Sequence, residues 1–173
     1  MSVTNPHQNS KDAYPGQPKP THVVAVVLTT SDGALILQHR DDNHQGAAHL
    51  RDKVGFFGGH CEDHEDPVDA AIREIDEELE LTLDRTHIES LGDYQKQLST
   101  HGDSNFVHVV RYTKPVDPKK LTVHEGRGLV LVSRENCHAF SFTPFADHLV
   151  GSLFNSKNTL EQYRVGTGRR HPG

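Results

Sequence analysis

Between Gly59 and Leu81 the chain reads GHCEDHEDPVDAAIREIDEELEL, which gathers the carboxylates of Glu74, Asp76, Glu77, Glu78 and Glu80 into the last two turns of one helix. That is the unfavourable end for them. A helix C-terminus carries roughly half a negative charge, and each like-charge i,i+4 pair costs a further ~0.2–0.5 kcal/mol. Arg73 is the only Lys or Arg in the segment, and one guanidinium cannot neutralise five acids, so a divalent cation is the natural compensation. Glu74, Glu77 and Glu78 stand at i, i+3 and i+4, a spacing that places three carboxylates on one helix face about a turn apart. Hard oxygens clustered without His or Cys suit Mg²⁺ or Mn²⁺ rather than zinc.

The elements that must position these groups have their own signals. Asp66 is a good N-cap, Pro67 suits the first helical position, and Val68, Ala71, Ile72, Ile75 and Leu79 recur at helical spacing. One face is therefore apolar and the opposite face carries the acids. Upstream, Val54–Phe57 reads as a short strand that runs into Gly58-Gly59, where the missing side chains let a backbone carbonyl approach a ligand.

The whole stretch resembles the Nudix box, G-x5-E-x7-R-E-U-x-E-E-x-G-U with U a bulky aliphatic. Gly59, Glu65, Arg73, Glu74, Ile75, Glu77, Glu78 and Leu81 meet it. Eight specified positions in a strand–loop–helix context are a specific signal, beyond what a solvated acidic helix face requires. One position departs: Glu80 stands where the family has the glycine that ends the helix in a left-handed turn. Keeping that turn with Glu costs ~1 kcal/mol.

The resemblance implies an α/β/α sandwich with a mixed sheet, the box helix on one side and a C-terminal helix on the other. It also implies a metal-dependent pyrophosphohydrolase that cleaves the diphosphate bond of a nucleoside diphosphate linked to another moiety. Phosphoryl transfer requires in-line placement, charge neutralisation and an activated water, with little covalent work for the protein. By analogy Glu77 and Glu78 are metal ligands, the Gly58 carbonyl is a further oxygen, and Glu74, part of the same carboxylate set, is free to orient or deprotonate the water. One to three Mg²⁺ satisfy such a site. Arg73 joins this group as the residue that fixes which carboxylates face the metal, by pairing with Glu77 one turn on or with Glu65 before the helix. Some relatives add a carboxylate from the loop before the penultimate strand, and Glu125 stands in that place.

Three further positions are candidates for substrate contact. Arg40, at the end of the second strand, either grips a phosphate through its planar fork or is a surface arginine. Gly59 and His60 lie where a pyrophosphate would pass, and His39 is expected to approach from the neighbouring strand. With 14 histidines in the chain, surface or packing roles for these two are the favoured reading. His101, His108, His124 and His138 lack a zinc spacing. Cys61, among acids, is expected to be an inert thiol. Phe56, Phe57, Phe106, Tyr112 and Phe140 either stack on a nucleobase or fill the core.

Rival readings are weaker. A non-catalytic Nudix-fold nucleotide-binding or regulatory module would have lost the Arg-Glu or Glu-Glu pair, and both are kept. An isopentenyl diphosphate isomerase, which shares the fold, uses an indole near its site, and the chain has no Trp. A calcium-stabilised acidic face would bind Ca²⁺ without hydrolysis. Markers of the ADP-ribose and dinucleotide hydrolases are missing: a proline is expected near Lys96, and an SQPWPF-type segment is lacking.

At 173 residues and net charge −6, one domain with a substantial core is expected. The charge argues against a nucleic-acid polymer as partner, but permits a small anionic diphosphate substrate once metal supplies positive charge. Relatives that pair as homodimers make a homodimer an expectation. Two cysteines without ligand spacing, a start that lacks a basic and apolar leader, and a longest apolar run of Val23–Leu28 against the ~20 residues of a membrane span point to a cytoplasmic protein with no membrane association.

Residues 1–20, with four prolines, read as a disordered tail, 21–164 as the domain, and 165–173 as a flexible tail. Val23–Thr29 and Ala34–His39 read as a hairpin around Ser31-Asp32-Gly33, and Asp41–Lys53 as a long loop. Ser90–Leu98 and Asn105–Thr113 form a second hairpin. Leu129–Ser133 is a further strand and Thr143–Asn155 a closing helix. Mixed strands with few helices make the class α+β.

Overall fold

The computed structural model describes residues 21–41, 48–97 and 104–155. The two tails, most of the loop after Asp41 and the tip of the second hairpin lie outside the described residues. Six strands run in chain order: β1 (Thr21–Thr29), β2 (Leu35–His39), β3 (Val54–Gly55), β4 (Ile88–Gln97), β5 (Ser104–Tyr112) and β6 (Gly128–Val132). Helix α1 (Pro67–Leu79) falls between β3 and β4, and α2 (Pro144–Phe154) follows β6. The sheet is mixed: β1 runs parallel to β5, whereas β4 with β5 and β2 with β1, β3 and β6 pair antiparallel.

The first hairpin turns where the sequence expects. Gly33 N–H donates to the Thr30 carbonyl at 3.0 Å, and the Thr30 hydroxyl accepts from Ala34 N–H at 3.0 Å. Its strands stay paired only through Leu28↔Ile36 and Thr29↔Leu35. They then part because β1 takes another neighbour, the segment that follows β3. Val26 N–H donates to the Phe57 carbonyl at 2.9 Å and Val24 N–H to the Gly59 carbonyl at 2.8 Å, while Cys61 N–H returns to the His22 carbonyl at 2.9 Å. The chain that enters the acidic helix is thus a rib of the sheet, and its backbone position is fixed by β1.

Strand alternation divides the core in two, as period-2 patterning requires. Val24, Val26, Leu28, Ile36, Phe57, Val110 and Tyr112 face Ala70, Ala71, Ile75 and Leu79 of α1. Ala25, Val27, Leu37, Phe56, Val107, Val109 and Val132 face Ala146, Leu149 and Val150 of α2. The result is the expected helix–sheet–helix sandwich. Phe56, Phe57 and Tyr112 belong to these cores, which settles their reading as packing. Among the described residues no helix is long and apolar enough to cross a membrane.

Both helices begin as the sequence specifies. The Asp66 carboxylate accepts from Val68 N–H with Pro67 next to it, and the Thr143 hydroxyl accepts from Ala146 N–H with Pro144 next to it.

Candidate active site at the end of the acidic helix

The acidic face of α1 does not present three equivalent carboxylates. Glu78 is turned inward, 5 % exposed, and its Oε2 accepts a 2.9 Å hydrogen bond from Gly58 N–H. Glu74 is largely covered and leans over Gly59. Glu77 points outward, with 61 % of its side chain exposed, and meets Arg73 only at 3.6 Å. The expectation of one shared face is corrected accordingly: with 3.6 residues per turn the three positions fan over a wide arc, and the sheet edge covers only part of it. Among the described residues no three His, Cys, Asp or Glu side chains are already gathered as an ion would hold them.

Arg73 chooses between the alternatives open to it. Its Nε and Nη2 fork onto the two oxygens of Glu65, each at 3.0 Å, its Nη1 donates to Glu74 Oε1 at 2.9 Å, and Nη2 also reaches the His60 carbonyl at 2.9 Å. Bidentate charge-assisted pairing of this kind is strong and directional. Hydrogen bonding to Glu65, reinforced by Glu74, raises the guanidinium pKa above its ordinary value, and the same contact holds Glu65 below the usual glutamate range. Arg73 therefore ties the loop before the helix to the helix and pins one oxygen of Glu74.

The two glycines have separable functions. Gly58 sits at φ +128, and a Cβ there would lie 2.2 Å from the Val24 carbonyl oxygen; at Gly59 a Cβ would lie 2.5 Å from the Glu74 carboxylate. The first obstacle is backbone in a conformation open essentially to glycine alone, and the second is the far end of a flexible side chain. Gly58→Ala is expected to destabilise the fold by about 2–4 kcal/mol in a denaturant titration. Gly59→Ala should cost under about 1 kcal/mol and displace Glu74 instead.

Glu125, from the loop before β6, reaches the same place. It stands close enough to Glu78 for the charges of the two carboxyls to act on each other. Burial, then the negative charges of Glu125 and Glu74, push the Glu78 pKa up to about 8 against the opposing Gly58 hydrogen bond. Arg40 is also brought in: burial holds its guanidinium below the ordinary value, while Glu78 and Glu125 act in the opposite direction. The absence of a side chain at Gly55 makes room for it, since a Cβ there would stand 3.1 Å from Arg40 Nε.

The donor set is all oxygen, carries several negative charges and includes a buried carboxyl beside a second one, which fits a hard divalent cation and no softer metal. Glu78, Glu125 and Glu74 are the residues that could hold it.

A model of the NUDIX domain matches residues 19–151. The chain belongs to the NUDIX domain family. Solved structures agree at the level of the fold. MutT of Methanosarcina mazei Go1 superposes with TM-score 0.65 at 18 % identity, over 83 % of this chain and 99 % of that one. The ORF135 protein of E. coli gives TM-score 0.56 at 28 % identity over 75 % and 84 %. The NUDIX domain of Shewanella oneidensis NrtR, solved with ADP ribose, gives 0.62 at 13 % over 79 % and 88 %. None of the curated proteins matches the chain significantly. As a member of the NUDIX family the chain is a hydrolase of nucleoside diphosphate derivatives, in a family that uses divalent metals.

Other sequence expectations fare unevenly in this NUDIX domain. His60 is exposed and is engaged through its carbonyl, not its ring. His39 turns to Asp52, with Nε2 to Oδ1 at 3.0 Å, and not toward His60. Gly59 supports the rib through its carbonyl bond to Val24. For Gly58 the visible contact is its N–H on Glu78. Burial, and after it Glu65, push the Cys61 thiol up, as an inert thiol requires. Sequence reasoning missed a contact between Glu80 and His124, whose Oε1 and Nε2 are 2.7 Å apart. The clue was the glutamate at a left-handed position, which the sequence alone could flag but not partner.

Proposed function

We propose that this NUDIX hydrolase is a Mg²⁺- or Mn²⁺-dependent pyrophosphohydrolase acting on a nucleoside diphosphate linked to another group, by attack of water on one phosphorus. The observation that supports it most directly is the Glu78 carboxyl, 5 % exposed and held on Gly58 N–H at 2.9 Å, with the negative charges of Glu125 and Glu74 beside it. Acids placed so are unfavourable alone, and a dication among them reverses the sign of the interaction.

When bound, the cation neutralises the non-bridging phosphate oxygens and lowers the pKa of a water. Glu78 and Glu125 would hold it, with Glu77 able to swing in from solvent and the Gly58 carbonyl adjacent. Glu74, pinned through one oxygen by Arg73, would orient the attacking water or take its proton. Arg40 would present a planar fork to a phosphate, and Gly59 and His60 would line the path of the diphosphate. The ADP ribose carried by the NrtR domain is a ligand of this chemical type.

Hydrolysis of a panel of nucleoside triphosphates, nucleotide sugars, ADP-ribose and dinucleoside polyphosphates should release phosphate, pyrophosphate or a nucleoside monophosphate only when Mg²⁺ or Mn²⁺ is present. Gly59→Ala, by displacing Glu74, should lower kcat by about 10-fold or more with the fold intact, the scale for weakening a positioned base. Tight nucleotide binding without turnover under every metal condition would instead identify a binding module.

A further inference from the structure

The helix exit shows how this chain uses its departure from the family pattern. Glu80 keeps the left-handed conformation, φ 52 and ψ 36, and its N–H donates to the Asp76 carbonyl. No glycine is present to make that conformation free of strain. The side chain that the strain admits is spent on one contact, Oε1 to Nε2 of His124 at 2.7 Å. An ionised carboxylate only accepts, so the imidazole donates.

His124 is the residue before Glu125. Its N–H donates to the Glu78 carbonyl at 2.9 Å, and Thr122 N–H donates to the Leu79 carbonyl at 3.2 Å. Two carbonyls that the end of α1 leaves without helical partners are thereby satisfied by this loop. On its far side the loop is fastened to β2. Arg127 N–H donates to the His39 carbonyl at 2.8 Å, and Arg127 Nη1 to Asp52 Oδ1 at 2.8 Å, the same oxygen that meets His39 Nε2 at 3.0 Å. Gly126, at φ +76, passes so close to β2 that a Cβ would lie 2.4 Å from the His39 carbonyl oxygen. Glu125 therefore rides on a strap fixed at both ends, and the Glu80–His124 contact fastens the residue next to it to the end of the helix.

We propose that Glu80 and His124 form a clasp whose function is to position Glu125 against Glu78, completing a divalent-cation site. The clasp touches neither substrate nor the reacting atoms, so both members are positioning residues. The inference rests on the metal-dependent reading above, and it assigns a role to the position at which the box pattern is broken.

Mn²⁺ binding to the full chain, followed by electron paramagnetic resonance of the free ion, separates this role from a merely structural one. Glu80→Gly and His124→Ala should each weaken Mn²⁺ binding about 10-fold, the lower end for losing a group that orients a ligand. Saturating metal should restore most of kcat. Glu80→Gly should melt no lower than the parent, because glycine releases the left-handed strain while the clasp is lost. His124→Gln, which keeps a donor for Glu80, should bind Mn²⁺ within about 2-fold of the parent. In a Glu125→Gln background Glu80→Gly should have no further effect on binding, since the two act through one group.

Parent-like Mn²⁺ binding by Glu80→Gly, or losses that add to those of Glu125→Gln, would overturn the clasp while leaving the metal-dependent reading intact. A parent chain with no affinity for Mn²⁺ would overturn both.

Discussion

Replacing Glu78 by Gln should lower kcat/KM for any diphosphate substrate by about 10²–10³-fold, roughly 3–4 kcal/mol of lost transition-state stabilisation, on the scale measured for removing one preorganised electrostatic contact. The substitution is nearly isosteric, and the amide oxygen can still accept the 2.9 Å bond from Gly58 N–H, so the rib and helix have no reason to move. What disappears is a buried carboxyl that can ionise against a cation at the place where positive charge is needed. The outward-facing Glu77, 61 % exposed, should be less sensitive to the same change, because a mobile ligand contributes less preorganisation. Parallel Mg²⁺ titrations of the two variants and the parent test the ranking. Equal and small losses in both would remove the carboxylates of α1 from the proposed cation site.

The sequence made the helix and its sheet context legible because local rules and tertiary packing agree there. Asp66 and Pro67 start α1 where capping chemistry places them, and Ile75 and Leu79 are fully buried on the face their spacing predicts. The hairpins were legible for the same reason, with strand ends shifted by a residue or two. The site itself was legible in composition but not in arrangement. Spacing alone placed Glu74, Glu77 and Glu78 on one face. Which of them turns inward depends on Gly58 N–H, on the Arg73 fork with Glu65, and on a loop more than forty residues on, and none of these is a local property of the helix. Glu125 was reachable only through resemblance to relatives. The pairings of Glu80 with His124, and of Asp52 with His39 and Arg127, join distant segments whose proximity follows from the fold.

In a chelator the protein should lose stability as pH rises from ~5 to ~8, opposite to the trend of most acidic proteins. The sign follows from Glu78. Its carboxyl has an ordinary value of 4.5 and is pushed up to about 8 in the native state by burial and by Glu125 and Glu74. Between those values the folded form holds a proton that the unfolded form has released. Stability is full below the unfolded value and declines until the folded value is passed. At 1.36 kcal/mol per pH unit of difference, the decline amounts to roughly 3–5 kcal/mol. Glu65, held down by Arg73, acts in the opposite sense and loses its contribution as pH falls below the ordinary glutamate range. A stability maximum near pH ~5 follows in the absence of metal. Millimolar Mg²⁺ should flatten or reverse the alkaline slope, because the ion binds the ionised carboxyl and thereby stabilises the folded chain by mass action. Glu78→Gln should abolish the slope and, in chelator at pH 8, should be more stable than the parent, although it is the variant with the greatest loss of turnover. Urea denaturation across this pH range, with chelator and with Mg²⁺, measures each of these. A parent slope that survives in Glu78→Gln would locate the strain elsewhere and dissociate the buried carboxyl from the cation it is proposed to await.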